Sequence, residues 1–173
     1  MNSIDSYDPA WGNASNTPFK LFKKNTHEGG IASPFIAWFP GKIKANALSQ
    51  QVGHITDILP TLLEVAGIQY PETFGNENLT PLPGTSLTRL FQHPQQVQDK
   101  TIFWEHEGSR AIRKQDWKLV AEINQPWELY DLKTDRSENH NLADRHPEKV
   151  KELEKEYLEW AAKVGVVDWN TIK

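Results

Sequence analysis

The chain has no cysteine among its 173 residues. This absence excludes disulfide bonds, zinc sites built from thiolates and a cysteine nucleophile. No apolar run approaches the length needed to span a bilayer, and residues 1–16 are too rich in Ser, Asn and Asp to resemble a signal peptide. We therefore expect a soluble chain that makes no membrane contact and carries no export signal of its own.

The chain also lacks a large excess of charge of one sign. Lys and Arg total 19 against 23 Asp and Glu, a formal net charge of −4, and no basic stripe is interleaved with aromatic residues. We therefore expect no nucleic-acid partner. In contrast, the chain holds seven Trp, seven Phe and four Tyr, and 38% of its residues are hydrophobic. That composition is typical of a folded chain with a real core.

Two stretches have helical periodicity. Apolar residues in residues 54–66 recur at i, i+3, i+4, i+7 and i+8, with Pro60 near the start and Gly67 as a stop. We expect this helix to bury one face against a sheet. Residues 148–164 carry a second stripe of apolar residues at helical spacing and follow Pro147, which predicts a second helix.

Between these helices lies a β pattern that follows a polar, glutamine-rich bridge at residues 94–100. Four short runs, rich in aromatic or β-branched residues and separated by polar turns, predict an antiparallel meander covered on one face by the C-terminal helix. They are residues 101–106, 109–113, 117–122 and 127–131.

Residues 22–41 combine a basic loop, a Glu28-Gly29-Gly30 corner and an apolar run that stops at Pro40. The glycines allow a sharp turn or a close backbone approach. Residues 31–39 have the length and composition of a strand buried on both faces. A basic loop that leads into such a strand is a candidate anion site, although a solvated loop lysine is the commoner case.

Metal ligation is a weaker hypothesis. The H-E-x-x-H pattern fails after His27-Glu28, so we favour an orienting or structural role for Glu28. Glu105, His106 and Glu107 resemble a ligand cluster, but the middle residue of a strand points away from its neighbours. His54 fits a capping or packing role better than that of a base. We predict no metal site in this chain.

The motifs, taken together, resemble the formylglycine-dependent sulfatases of the arylsulfatase branch, which belong to the alkaline-phosphatase-like superfamily. The resemblance rests on Lys23 five residues before the Glu-Gly-Gly corner, the S-P-F-I-A-W-F-P-G run and four motifs in the family's order: H-I-T-D-I-L-P-T-L-L-E-V-A-G, L-P-G-T-S-L-T-R-L-F, S-R-A-I-R-K-Q-D-W-K-L and W-E-L-Y-D-L-K-T-D-R-S-E-N-H-N-L-A. These motifs match only the C-terminal part of a sulfatase.

The resemblance implies an α/β fold. Residues 1–95 would end the alkaline-phosphatase-like catalytic sandwich, and residues 96–173 would form a small antiparallel sheet packed on a helix. It implies a sulfate-binding role for Lys23, with Lys24 as the surface neighbour. Many relatives carry glycine where this sequence has Gln115, so a less favourable turn conformation is expected at that position. The family uses a formylglycine, made from Cys or Ser within C/S-x-P-x-R, and a calcium or magnesium ion. Its members are usually periplasmic, secreted or lysosomal.

Neither the C/S-x-P-x-R motif nor an Asp-Asn metal-ligand pair occurs in this sequence. We therefore expect the chain alone to be inactive, with the nucleophile and the ion supplied by polypeptide outside it. Two alternatives stay open. The chain is a non-catalytic truncated product or interaction partner that docks on a separate N-terminal half through an exposed sheet edge or associates with itself, or it belongs to a phosphoesterase or phosphonate hydrolase of the superfamily.

Overall fold

The computed structural model describes residues 8–96 and 98–172. These residues divide into two compact units, one within residues 8–34 and 100–172 and the other within residues 35–99. The elements are, in chain order, α1 (Pro9–Ser15), α2 (Glu28–Ile31), α3 (Ile58–Ala66), β1 (Thr73–Phe74), β2 (Glu77–Asn78), α4 (Arg89–Gln92), β3 (Thr101–His106), β4 (Ser109–Lys114), β5 (Trp117–Ala121), β6 (Glu128–Asp131) and α5 (Pro147–Val164).

The predicted meander is confirmed. Strands β3, β4, β5 and β6 form one antiparallel sheet in sequence order. Two-residue loops join β3 to β4 and β4 to β5, because His106 pairs with Ser109 and Lys114 with Trp117. Gln115 has a φ of 56°, the left-handed conformation expected for this position.

One face of this sheet is the main core. A row of apolar side chains from its strands packs against α5, which buries Leu153, Tyr157 and Ala161. Trp160 of the same helix stacks on Phe103 with ring centroids 4.9 Å apart. Each large apolar side chain buried in this way contributes roughly 1.5–3 kcal/mol to stability. The prediction that the C-terminal helix covers the meander is therefore confirmed.

The opposite face carries charged residues among apolar ones. Cross-strand pairing places Lys118 beside Arg113 and Tyr130, and Val120 beside Glu128. Contacts from the segment that leads into α2 reach this face: Thr26 Oγ1 donates to the Arg110 carbonyl at 3.4 Å. The sheet thus has an apolar side against α5 and a polar side that receives α2.

The second unit contains the predicted helix of residues 54–66. His54 caps a short 3₁₀ turn, Ile55–Asp57, that continues into α3, and Gly67 ends the helix with a φ of 68°. Pro60 lies in the first turn, where its missing N–H breaks no bond. The expectation that α3 buries one face is wrong in this structure, because the helix buries none of its side chains.

The predicted strand over residues 31–39 is also wrong. Within the described ranges no strand pairs with this segment, and Ile36 and Trp38 are 90% and 86% exposed. A strand buried on both faces requires neighbouring strands and covering helices. The described part of the chain supplies neither to these residues, so their apolar pattern has nothing to pack against.

Residues 1–16 are rich in Ser, Asn and Asp, a composition typical of a loop, yet part of this stretch is helical. Residues 1–7 lie outside the described residues, and α1 forms directly after them because Asp8 accepts hydrogen bonds from the amides of Ala10 and Trp11. Among the described helices, none is both long enough and apolar enough to cross a bilayer.

Candidate functional site

The two glycines of the Glu-Gly-Gly corner lie in direct contact with the basic loop. A Cβ added to Gly29 would lie 2.3 Å from the Lys20 carbonyl oxygen, and one added to Gly30 would lie 2.0 Å from that of Asn25. The Gly29 amide also donates to the Lys20 carbonyl at 2.9 Å. Only glycine permits backbones to approach this closely. The backbone of the basic loop therefore rests directly on the corner.

Lys23 and Lys24 occupy the centre of a tight turn in that loop. The Asn25 amide donates to the Phe22 carbonyl at 3.1 Å, and Lys24 has a φ of 87°. Both lysine side chains are exposed. Lys24 forms a surface ion pair with Glu107 at 3.8 Å, a type of contact worth at most about 1 kcal/mol. The turn thus presents Lys23 at its tip on a fixed backbone.

Beneath the corner lies a buried ion network centred on Lys118. The Nζ atom of Lys118 lies 3.0 Å from Glu28 Oε1 and 2.7 Å from Glu138 Oε1. All three residues are at most 2% exposed. Glu138 Oε2 also accepts a hydrogen bond of 2.7 Å from the Glu28 amide. Glu28 is therefore a structural, ion-paired carboxylate, as predicted.

A second polar cluster adjoins this network. Glu128 Oε2 lies 2.9 Å from His27 Nε2, 2.7 Å from the Tyr130 hydroxyl and 3.4 Å from the Lys20 amine. Burial opposes ionisation of Glu128, but the hydrogen bonds from His27 and Tyr130 and the charge of Lys20 outweigh it and hold the pKa below its ordinary value. Burial and the bond to Glu128 raise the pKa of Tyr130. Glu128 is thus held as an anion.

An open cavity of about 280 Å³ adjoins this second cluster. Its lining is polar and holds both signs of charge, and comprises Lys20, His27, Glu122, Gln125, Pro126 and Glu128. The His27 ring is 2% exposed, and its Nδ1 atom has no hydrogen-bond partner among the described residues. Lys23 is not one of the lining residues.

The structure separates the residues of the predicted metal-like cluster. Glu105 and His106 end β3, and Glu107 belongs to the following turn with a φ of 51°. In the ranges 8–96 and 98–172, no three His, Asp or Glu side chains are placed to hold a metal ion.

His54 acts as a helix cap. Arg110 stacks on the Trp127 ring at 4.4 Å.

Sequence reasoning missed Lys118, Glu138 and Glu128. One signal was available for Lys118: a lysine inside the apolar run W-K-L-V-A lies on a strand covered on both faces, so it needs a buried carboxylate. Nothing local marked Glu138, which lies in a polar loop of acidic and amide residues. Its partner is distant in sequence, so only the tertiary structure reveals the pair.

Comparisons with known proteins show the family of the chain. Residues 19–163 match the family profile of N-sulphoglucosamine sulphohydrolase, C-terminal. An uncharacterised sulfatase of Schizosaccharomyces pombe is 38% identical over 173 residues, which cover 96% of this chain and 31% of that protein. Two solved structures are similar in fold. One is Ps i-CgsB, with a TM-score of 0.72, 25% identity and coverage of 84% of this chain and 32% of that one.

The other structure is BT4656 in complex with its substrate, D-glucosamine-2-N,6-O-disulfate. Its TM-score is 0.55 and its identity 25%, with coverage of 72% of this chain and 27% of that chain. The present chain thus spans about a third of the length of the proteins that it matches. The matched part is their C-terminal portion.

Proposed function

Because this chain belongs to the sulfatase family and matches its C-terminal part, we propose that it completes a sulfuric ester hydrolase of the arylsulfatase type and supplies Lys23 to the sulfate-binding pocket. The observation that carries this proposal is the exposed turn on the Glu-Gly-Gly corner, which holds Lys23 on a fixed backbone. A lysine ammonium is a compact cation suited to sulfate oxygens, whose negative charge it would stabilise.

The remaining machinery is assigned to polypeptide outside this chain. No residue here lies in a formylglycine motif, and the described residues offer no metal ligand set. The formylglycine and the calcium or magnesium ion of the family do not fit this chain, so its own role is limited to anion binding and support. In the complete enzyme, residues 1–95 would end the catalytic domain, and residues 96–173 would wall one side of the cleft.

The substrate is proposed to be a sulfate ester. The structural relative BT4656 was solved with a sulfated amino sugar. We therefore place sulfated carbohydrates first among the natural substrates to test, with an aryl sulfate as the chromogenic probe.

The test compares two neighbouring lysines in a completed enzyme. This chain is fused behind the N-terminal two-thirds of the S. pombe relative, and aryl-sulfate turnover is measured. Lys23→Met should lower kcat/KM by about 100-fold or more, since one charge-stabilising donor is worth that much. Lys24→Met removes another exposed charge from the same turn and should keep kcat/KM within about twofold of the unmodified enzyme. Equal effects of the two substitutions would refute the assignment of Lys23.

A second candidate is a non-catalytic product that binds a separate N-terminal half or itself. It is favoured by the exposed apolar residues of the second unit, among them Ile36, Trp38 and Leu62. The strand over residues 31–39, which was expected to belong to the incomplete sheet used for docking, does not form, so the proposed surface is the exposed apolar face of the second unit. Co-expression with an N-terminal half, followed by affinity capture, tests the association. An in-frame C/S-x-P-x-R motif upstream of the Met1 codon would argue against a truncated product.

A phosphoesterase or phosphonate hydrolase is the third candidate. Assaying the fused enzyme with aryl phosphate and phosphonate esters separates it from a sulfatase. Faster turnover of either ester than of the aryl sulfate would favour this candidate.

A further inference from the structure

We propose that Lys118 is a positioning residue that, with Glu28 and Glu138, sets the place of the Lys23 turn. On this view the network fixes the geometry of the anion pocket and is dispensable for the stability of the fold. The functional part of this inference rests on the proposed role of Lys23. The structural part, that the network orders residues 20–31, stands independently of it.

The network joins three segments that are far apart in sequence. Lys118 is the second residue of β5, Glu28 opens α2, and Glu138 lies in the loop between β6 and α5. The Lys118 amine contacts one carboxylate at 3.0 Å and the other at 2.7 Å. Glu138 contacts the corner a second time through the Glu28 amide. Arg136 approaches Glu28 Oε2 at 3.6 Å from the same loop.

Stability alone does not explain this arrangement. Removing a lysine and two carboxylates from water is costly, and well-packed apolar residues in place of a buried ion pair are often neutral or stabilising. Neighbouring positions on the same face hold apolar side chains, Ala111 and Val120, both fully buried. Charged, hydrogen-bonded groups add geometric specificity, because their contacts are satisfied in only one position of the Glu-Gly-Gly corner on the sheet.

The contact from the corner to Lys23 is made by backbone. Gly29 and Gly30 lie against the carbonyls of the loop, and the Gly29 amide bonds to Lys20. The loop then closes around Lys23 through the bond from Asn25 to Phe22. Since no flexible side chain intervenes, a displacement of Glu28 moves the turn with it. The anchoring side chains are fully buried, whereas the lysine that they place is exposed.

The absence of cysteine permits a clean removal and restoration of the Lys118 charge. In Lys118→Cys the ammonium is lost. Alkylation of the unfolded variant with 2-bromoethylamine, in which the thiolate displaces bromide, followed by refolding, restores an ammonium on a side chain of nearly lysine length. The readout is amide hydrogen exchange of residues 20–31, measured by mass spectrometry on the full chain.

We expect exchange in residues 20–31 to become at least tenfold faster in Lys118→Cys and to return to within about twofold after aminoethylation. Amides of β3, β4 and α5 should keep their rates. Lys114→Cys, on the neighbouring strand, is the matched control: its lysine pairs with Glu152 and Glu156 of α5, so residues 20–31 should not respond. Unchanged exchange at residues 20–31 in Lys118→Cys would overturn the proposal.

A second variant covers the case in which Lys118→Cys does not fold. The triple substitution Glu28→Met, Lys118→Met and Glu138→Gln removes all three charges and keeps an amide oxygen as acceptor for the residue 28 amide. It should melt at or above the temperature of the unmodified chain while residues 20–31 exchange at least tenfold faster. A lower melting temperature would assign the network to stability, and unchanged exchange at residues 20–31 would overturn the positioning role.

Turnover in the fused enzyme supplies the functional readout. Lys118→Cys should lower kcat/KM at least tenfold, and the double variant with Lys23→Met should have no lower kcat/KM than Lys23→Met alone. If the kcat/KM losses of Lys118→Cys and Lys23→Met multiply in the double variant, the two residues act independently, and the positioning role is contradicted. If Lys23→Met leaves turnover unchanged, the proposed function fails, and the exchange experiment still decides the positioning of residues 20–31.

Discussion

The His27 imidazole lies 2.9 Å from Glu128, so the residue that precedes the Glu-Gly-Gly corner contacts the first residue of β6. The same carboxylate oxygen also receives the Tyr130 hydroxyl at 2.7 Å. The corner is therefore held by two carboxylate-centred contacts side by side, one through Glu28 and Lys118 and the other through His27 and Glu128. The corner is thus tied to the sheet at two adjacent residues, His27 and Glu28.

The lowered pKa of Glu128 predicts an acid-sensitive part of stability. A carboxyl whose pKa is depressed on folding contributes stability above its unfolded value, here about 4.5, and loses it as the pH falls through the folded value. In urea unfolding, the stability difference between the unmodified chain and Glu128→Gln should therefore be largest at pH 7 and shrink below about pH 4.5. Glu159→Gln, on the exposed face of α5, is the control. A difference that grows towards low pH would contradict the prediction.

Substituting either corner glycine should be severe. In Gly29→Ala or Gly30→Ala the new methyl group would lie 2.0–2.3 Å from backbone oxygens that no side-chain rotation moves away. We expect a loss of roughly 2–5 kcal/mol in thermal or urea unfolding, or failure to fold. The control is Gly53→Ala, where the nearest atoms are 3.9 Å from the added carbon. A loss at positions 29 and 30 as small as at position 53 would show that the loop does not rest on the corner.

The β4–β5 turn offers a stabilising substitution. Gln115 holds a φ of 56°, which costs an L-residue about 1 kcal/mol and glycine nothing. Gln115→Gly should leave stability unchanged or raise it by up to about 1 kcal/mol, since the greater freedom of glycine in the unfolded chain offsets part of the gain. Gln115→Ala keeps the Cβ and should not stabilise. Chemical denaturation distinguishes the two, and a more stable alanine variant would refute the explanation.

The chain by itself should self-associate through α3. Leu59, Leu62 and Val65 are 47%, 59% and 44% exposed on one helix. A contiguous apolar patch of this kind drives association in water. At roughly 50 µM, light scattering after size exclusion should give a dimer or larger species, and Leu59→Glu with Leu62→Glu should reduce it. Leu158→Glu, an exposed leucine of α5, should not. A monomeric unmodified chain would contradict the prediction.

Much of the first unit follows from local pattern. The alternation in the four strands, the stripe of residues 148–164 and the proline before it are short-range signals, and the structure matches each of them. The His54 cap and the conformation of Gln115 are likewise set by a few neighbouring residues. The close approach at Gly29 and Gly30 was also foreseeable, because a paired glycine before an apolar run has few other uses.

The sequence by itself determined the family and the meander with its helix, because these depend on periodicity and on motif order. Only the tertiary structure decided which charges meet: Lys118 with Glu28 and Glu138, and Glu128 with His27. It also decided that residues 31–39 form no strand. The reason is the same in both cases: ion pairs and strands need partners that are distant in sequence. Local pattern does not specify which distant residue, if any, supplies that partner.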